Sequence, residues 1–372
     1  MLNKMGFATL WYVGDPNKRM RTKIDHDFVV MSYEIFQKDY DRLKLLKKPY
    51  FVVDEATILC NSQNVMWKML NGGIISKTKK IPGKLKPEII KVQYPKINQG
   101  CCLLTATPTN KPTDAYGLIK TVSPDIYQNY NQFMNIHVGE LDFFGAPKTY
   151  NHLDLLHQNL KASSSIRAAS DHLDLPEKVY NIIEYDLDKA HYEMYAELMN
   201  TRMLEIDGEI QINALQATAL YNYAQKIILN PDEFGYKKDA KGIEILDTIV
   251  NGSKQILIFN KYVMTNDKML KRYDKLGVGG CYGEISRSQQ NKFITAFQAR
   301  ELRVLSCNIK SGGYGLNLQI CNQAVFPEIP ITARDQRQAE GRVWRQGQKE
   351  RVVFTILIAR KTIQQSLLKR VM

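Results

Sequence analysis

Phe51-Val52-Val53-Asp54-Glu55-Ala56-Thr57 is a short apolar run that stops on two adjacent acids. Phenylalanine and valine fit a pleated, packed surface. A strand buried on both faces that ends abruptly in charge is the form taken by parallel strands whose tips carry chemistry. Two carboxylates at one tip can divide the work: Asp54 holds Mg²⁺ through its water shell while Glu55 polarises an attacking water. Taken alone, the stretch also fits an ordinary strand ending in a charged turn, and the rest of the chain has to decide.

Cys101-Cys102-Leu103-Leu104-Thr105-Ala106-Thr107-Pro108-Thr109-Asn110 is a second apolar run, this time entering a hydroxyl-rich turn stopped by proline. Ser311-Gly312-Gly313-Tyr314-Gly315-Leu316-Asn317-Leu318 has glycines that let the backbone approach a ligand closely. Gln338-Ala339-Glu340-Gly341-Arg342-Val343-Trp344-Arg345-Gln346-Gly347-Gln348 sets two arginines three apart, a spacing that predicts one shared helical face. Guanidinium groups so placed can reach the phosphates of a nucleotide and offset the charge that develops during phosphoryl transfer. Each stretch has a plain reading, as turn chemistry or as a solvated basic helix. Their order along one chain makes coincidence improbable.

On these residues the chain resembles the superfamily-two helicases, and within them the Swi/Snf-type DNA translocases. Asp54-Glu55-Ala56 is similar to the family's second motif, Leu103 to Pro108 to the third, Ser311 to Leu318 to the fifth and Gln338 to Gln348 to the sixth. Val29 to Glu34 is similar to the segment before the acidic motif, and Gln255 to Asn260 to the fourth motif. The resemblance implies an α/β protein of two RecA-like parallel-sheet domains with helical protrusions. ATP and Mg²⁺ would be the cofactors and DNA, double-stranded in preference to single, the partner. Asp54, Glu55, Arg342 and Arg345 would be catalytic, with Asp54 the water-mediated magnesium ligand. Gly315, Asn317 and Gln338 would touch the nucleotide. Thr105 and Thr107 would couple the acids to the strand-gripping surface, and Ser32, Tyr33 and Ser311 would track the nucleic-acid backbone, where hydroxyls and amides donate to phosphates.

Two departures from the family stand out. Family members open with a glycine-rich loop carrying Gly-Lys-Thr or Gly-Lys-Ser, whose amides and lysine cradle phosphates; neither tripeptide occurs in these residues. Leu10 to Asp15 reads as a strand and turn downstream of that loop, so the expectation is a first domain truncated at its N-terminus, with a separately encoded segment as a possible source of the loop. Thr57 stands where the family usually has His or Asp.

Composition agrees with a large intracellular protein that is not secreted. The 372 residues leave room for two cores, and a hydrophobic content of 44% is globular. Cys60, Cys101, Cys102, Cys281, Cys307 and Cys321 show no C-x-x-C spacing and read as reduced core residues. The histidines have no ligand spacing, and no stretch is leader-like or long enough to span a bilayer. The net charge of +13, from 51 basic and 38 acidic residues, favours a polyanionic partner. Lys77 to Lys96 holds seven lysines against Glu88, with Pro82, Gly83, Pro87 and Pro95 breaking any helix and Tyr94 available for stacking. It fits either a solvated loop or an insertion on the DNA backbone, and nothing in it can read bases.

Short apolar runs alternate with longer mixed segments, the pattern of parallel sheets with helices on both faces. Phe28 to Met31, Phe51 to Val53 and Cys101 to Leu104 are expected as strands of a first domain, residues 1–175, with a helical protrusion from Asp114 to Ile166 that ends near Arg167. Asp174-Leu175-Pro176-Glu177-Lys178 reads as a crossover linker. In a second domain, residues 176–372, a helical stretch Lys189 to Leu229 is closed by Asn230-Pro231. Strands are expected at Ile256 to Phe259, Arg303 to Cys307, Ala324 to Phe326 and Val352 to Ile358, with an amphipathic helix from Ser286 to Arg300. Two functions remain open on these residues: an ATP-driven DNA motor or part of one, and a non-catalytic module that keeps the fold and the nucleic-acid surface. The paired acids and arginines favour the first. The missing phosphate loop favours the second.

Overall fold

Residues 6–47, 49–79, 88–106, 108–109, 111–143, 145–165, 173–206, 209–214, 216–309 and 317–372 are described by the structure, a computed structural model. The chain divides into two units, Met1–Ile166 and Arg167–Met372. Among the described residues no helix is long and apolar enough to cross a membrane.

In the first unit β1 (Thr9–Trp11) pairs in parallel with β2 (Phe28–Val30), and β3 (Phe51–Val53) with β6 (Cys101–Leu103). Between them β4 (Gly73–Lys79) and β5 (Glu88–Tyr94) form an antiparallel hairpin out of the lysine-rich segment, whose residues 80–87 lie outside the described part. The strands expected at Phe28, Phe51 and Cys101 are all present. One expectation fails: β3 does not bury both faces. Val53 enters a core with Phe36, Tyr40, Leu59 and Met66, whereas Val52 is 60% exposed, because none of the described elements of this unit covers that side of the short pair. Helices Ala115–Val122, Tyr130–His137 and Leu153–Ser163 make a second small core around Tyr116, Tyr127 and Phe133, in the region expected to be helical. Arg167, its expected end, is outside the described residues.

The second unit is built on a six-stranded sheet. Its strands are β7 (Lys178–Tyr185), β10 (Ile256–Asn260), β11 (Val278–Cys281), β12 (Val304–Asn308), β13 (Gln323–Phe326) and β14 (Val352–Ala359), all parallel in the order β11-β12-β10-β13-β14-β7. Central β10 is buried along its whole length, as a strand sandwiched between helix layers must be. Each of its apolar side chains contributes about 1.5–3 kcal/mol by leaving water. The segment read as one helical stretch is two helices, Lys189–Thr201 and Ala217–Leu229, separated by a hairpin of β8 (Met203–Ile206) and β9 (Glu209–Asn213). Arg202 ends the first helix in the left-handed conformation, φ 61°, where the helical hydrogen-bond run cannot continue. Lys178, expected as the end of a linker, instead starts the edge strand β7, which pairs with β14 from Lys178↔Val352 to Tyr185↔Ala359.

Candidate functional site

Immediately after β3 the backbone turns through Asp54 and Glu55. Glu55 adopts φ 50° and ψ 50°, a left-handed conformation that costs a residue with a Cβ of order 1 kcal/mol or more. The turn is held from several sides. Asp54 Oδ1 accepts the amide of Glu55 at 3.0 Å, the Tyr33 hydroxyl donates to the Asp54 carbonyl, and the Thr57 hydroxyl donates to the Glu55 carbonyl at 3.5 Å. The result is an exposed Asp54 next to a half-buried Glu55 whose Oε2 is shielded from solvent and has no hydrogen-bond partner in the structure. A carboxylate oxygen kept out of water without a donor is costly. An exposed carboxylate beside it suits a hydrated divalent ion.

The β3–β6 register, Val53↔Leu103, runs on through Leu104 N to Val53 O at 2.8 Å and Ala56 N to Leu104 O at 2.9 Å. That ladder sets half-buried Thr105 just past the strand pair that carries the acids. Thr107 lies outside the described residues. Ser32, exposed, and Tyr33, half-buried, stand at the start of a short helix. Ser32 Oγ caps the helix Tyr33–Lys38 by accepting the Ile35 amide at 3.3 Å, and Tyr33 ties that helix to the acid turn.

In the second unit Arg342 occupies the last turn of the helix Ala333–Val343, which Thr332 caps by accepting the Asp335 amide at 3.2 Å. Arg345 lies beyond that helix, so the expectation that the two arginines share a helical face is corrected. The helix stops because Trp344 leaves helical geometry at ψ 85° and Gly347 turns back at φ 97°. Gln348, buried, then latches the turn: its Nε2 donates to Cys321 O at 3.0 Å, and its Oε1 accepts the amides of Lys349 and Glu350 at 2.9 and 3.0 Å. Both arginines are half-buried, as is Gln338, while Asn317 is exposed. Ser311 and Gly315 lie outside the described residues.

Two features escaped the sequence reading. Glu328, just past β13, is buried and accepts from Thr265 Oγ1 at 2.5 Å, Asn230 Nδ2 at 3.4 Å, and the amides of Lys261 and Tyr262 at 2.7 and 3.0 Å. Burial pushes its carboxyl above the usual range despite those donors. It fixes the turn that leaves β10 at the C-terminal edge of the sheet, where open parallel sheets hold ligands. The signal was available, because Phe326-Pro327-Glu328 repeats the strand-to-acid form of Val53-Asp54. The second is Glu340, buried inside the arginine helix, which accepts from Lys178 Nζ at 3.0 Å, Tyr180 OH at 2.7 Å and Gln336 Nε2 at 2.9 Å. Burial would lower the Lys178 ammonium, but Tyr180 and Glu340 outweigh it and hold it above the ordinary lysine value. Among the described residues no group of three or more His, Cys, Asp or Glu is arranged to hold a metal ion by direct ligation.

The second unit is thus an open parallel α/β domain with an arginine-bearing helix, and the first presents a paired-acid strand tip. The model of the SNF2-related domain matches residues 96–232, and that of the helicase conserved C-terminal domain matches residues 240–347. The chain belongs to the Swi/Snf-type superfamily-two helicases. An uncharacterized ATP-dependent helicase of Mycoplasma pneumoniae is 23% identical over 354 residues, covering 92% of this chain and 31% of that protein. Chromodomain-helicase-DNA-binding protein 1-like of Danio rerio is 22% identical, over 98% of this chain and 35% of its own length. The chain therefore spans about a third of the length of these relatives. The Sulfolobus solfataricus SWI2/SNF2 ATPase core, solved in complex with dsDNA, is 20% identical with a TM-score of 0.41, over 99% of this chain and 75% of that one.

Proposed function

We propose that this chain provides the hydrolytic acids and the arginine element of an ATP-driven motor that tracks double-stranded DNA. The observation that carries the reading is the strained turn after β3. Glu55 is held left-handed with one carboxylate oxygen buried and unpartnered, beside an exposed Asp54. A fold pays such a cost where a ligand or reacting water relieves it. Magnesium-bound ATP would supply the phosphoryl group and the charge to be offset. Asp54 would hold the ion through water, Glu55 would take the proton of the attacking water, and Arg342 and Arg345 would offset the charge on the transferring group. Gly315, Asn317 and Gln338 would touch the nucleotide. Thr105 and Thr107 would connect the acids to the DNA surface, to which Ser311, Ser32 and Tyr33 belong, the last through its bond to Asp54. The excess of basic residues and the helicase relatives support a nucleic-acid partner.

The 372 residues contain no Gly-Lys-Thr or Gly-Lys-Ser, so turnover by the chain is expected to be slow in absolute terms. The same observation favours the second reading, a DNA-binding module that does not hydrolyse ATP. Turnover measured with and without duplex DNA separates the two. The motor reading requires a rate that duplex raises and that Glu55→Gln removes, with Arg345→Ala lowering it by about 10³-fold or more while duplex binding persists in both variants. Duplex binding with no turnover above that of Glu55→Gln leaves the binding module.

A further inference from the structure

The Lys178 ammonium stands at one corner of a small cluster that is larger than an ion pair needs. It lies 3.0 Å from Glu340 Oε2, 5.2 Å from the centre of the Tyr180 ring and 4.9 Å from the centre of the Trp344 ring. The Trp344 indole in turn donates to the carbonyl of Pro176 at 2.8 Å. Glu340 and Trp344 are four residues apart, so they bracket Arg342 and fix the end of its helix. Arg345 follows directly. The partners on the other side, Pro176 and Lys178, belong to the segment through which the chain enters the second unit, and Lys178 opens β7. A buried carboxylate, a clamped ammonium and a directional indole bond therefore join the incoming chain to the two arginines.

We infer that Lys178 and Trp344 are positioning residues: they seat the end of the arginine helix against the Pro176–Lys178 segment, and through that seating they set the direction of Arg342 and Arg345. The inference rests on the arginine role proposed above. A salt bridge with a nearly buried acid contributes little net stability compared with an apolar pair, so its effect here is the single geometry it imposes. Cation–π contacts on two rings narrow that geometry further. Movement of the entering chain would reach the arginines through Pro176 and through Lys178, at the first residue of the edge strand β7.

The test compares the whole 372-residue protein with Lys178→Met, Lys178→Arg and Trp344→Phe. Trp344→Phe keeps a ring under the ammonium and removes only the indole bond, so it leaves no unpaired buried charge and folds even if Lys178→Met does not. Amide exchange should quicken about tenfold or more across residues 341–348 in Lys178→Met and Trp344→Phe, while β10 and β12 keep their protection. Duplex-stimulated kcat should fall about 10²-fold, the scale of a misplaced catalytic group, with KM for ATP and duplex affinity nearly unchanged. Lys178→Arg should restore both readouts. Unchanged exchange across 341–348 overturns the inference, and so does local exchange that rises while kcat of an active protein stays the same. If the parent protein shows no duplex-stimulated turnover, the motor reading fails on its own, and exchange alone decides the seating.

Discussion

Glu55 concentrates the tension of this protein in one residue. Its left-handed backbone and its unpartnered carboxylate oxygen both cost stability, and both vanish if the side chain is removed. Glu55→Gly is therefore expected to raise the unfolding temperature of its unit by about 2–4 °C, the shift that about 1 kcal/mol produces in a domain of this size, while ending ATP turnover. A melting curve that moves down would show that the turn is not strained. Two histidines carry a pH dependence of known sign. His137, against Tyr127 OH at 2.8 Å, and His191, against the Ile227 carbonyl at 2.9 Å, are both buried, and burial lowers both below the ordinary imidazole value. Below about 6.5 the unfolded chain binds protons that the folded chain refuses. Stability is then present in full above that pH and falls as pH drops toward the folded values. Urea midpoints should be lower at pH 5.5 than at pH 7.5, and His191→Gln should flatten the slope for the second unit.

Among the elements, the turn leaving β10 and the helix following β6 depend on single residues. Glu328→Ala removes the acceptor for two amides, a hydroxyl and an amide side chain at once, and should cost about 3 kcal/mol or more. Denaturation that shows less than 1 kcal/mol would mean that water replaces the carboxylate. Gly117 packs its Cα against the carbonyls of Leu59 and Cys60, with no room for a Cβ. Gly117→Ala should therefore pry helix Ala115–Val122 from the turn behind the acids, lowering both the melting temperature and any turnover. Glu328 carried a strand-to-acid signal in the sequence, but its donors, like the contact at Gly117, exist only once distant segments meet. The strands of the second sheet were legible where β-branched runs are buried, as in Ile256–Asn260 and Val352–Ala359. Val278–Cys281 was missed because Gly279 and Gly280 mute the strand signal; a Cβ at Gly279 would lie 2.8 Å from Phe293 Cβ, so the position needs glycine for packing. Lys178–Tyr185 was missed as an edge strand, half-exposed and preceded by proline. The acids and arginines were recognised by residue type, but the break between Arg342 and Arg345 was not, because Gln348 and Trp344 make it through tertiary bonds.

On the scale of the whole chain, the two units differ in how much sheet holds them together. The second has six parallel strands and one continuous core running from Tyr185 to Val371. In the first, the parallel strands are three-residue pairs, and the apolar side chains of Trp11, Val52 and Leu104 are 67%, 60% and 47% exposed. Its apolar residues are also divided between two separate clusters. Short pairs with bare faces neither bury enough surface nor protect their backbone groups, so opening them costs less than opening a six-stranded core. Leaving even about 300 Å² of apolar surface in water forfeits roughly 7 kcal/mol, as much as the entire margin of many domains. Residues of the first unit should exchange amide hydrogens faster than those of the second, and limited proteolysis should cut within the first unit while leaving a fragment from about residue 175 onward. Equal protection of β3 and β10 would refute this, and would mean that the helical cluster around Tyr127 and Phe133 stabilises the acid-bearing turn as well as the long sheet stabilises the arginines.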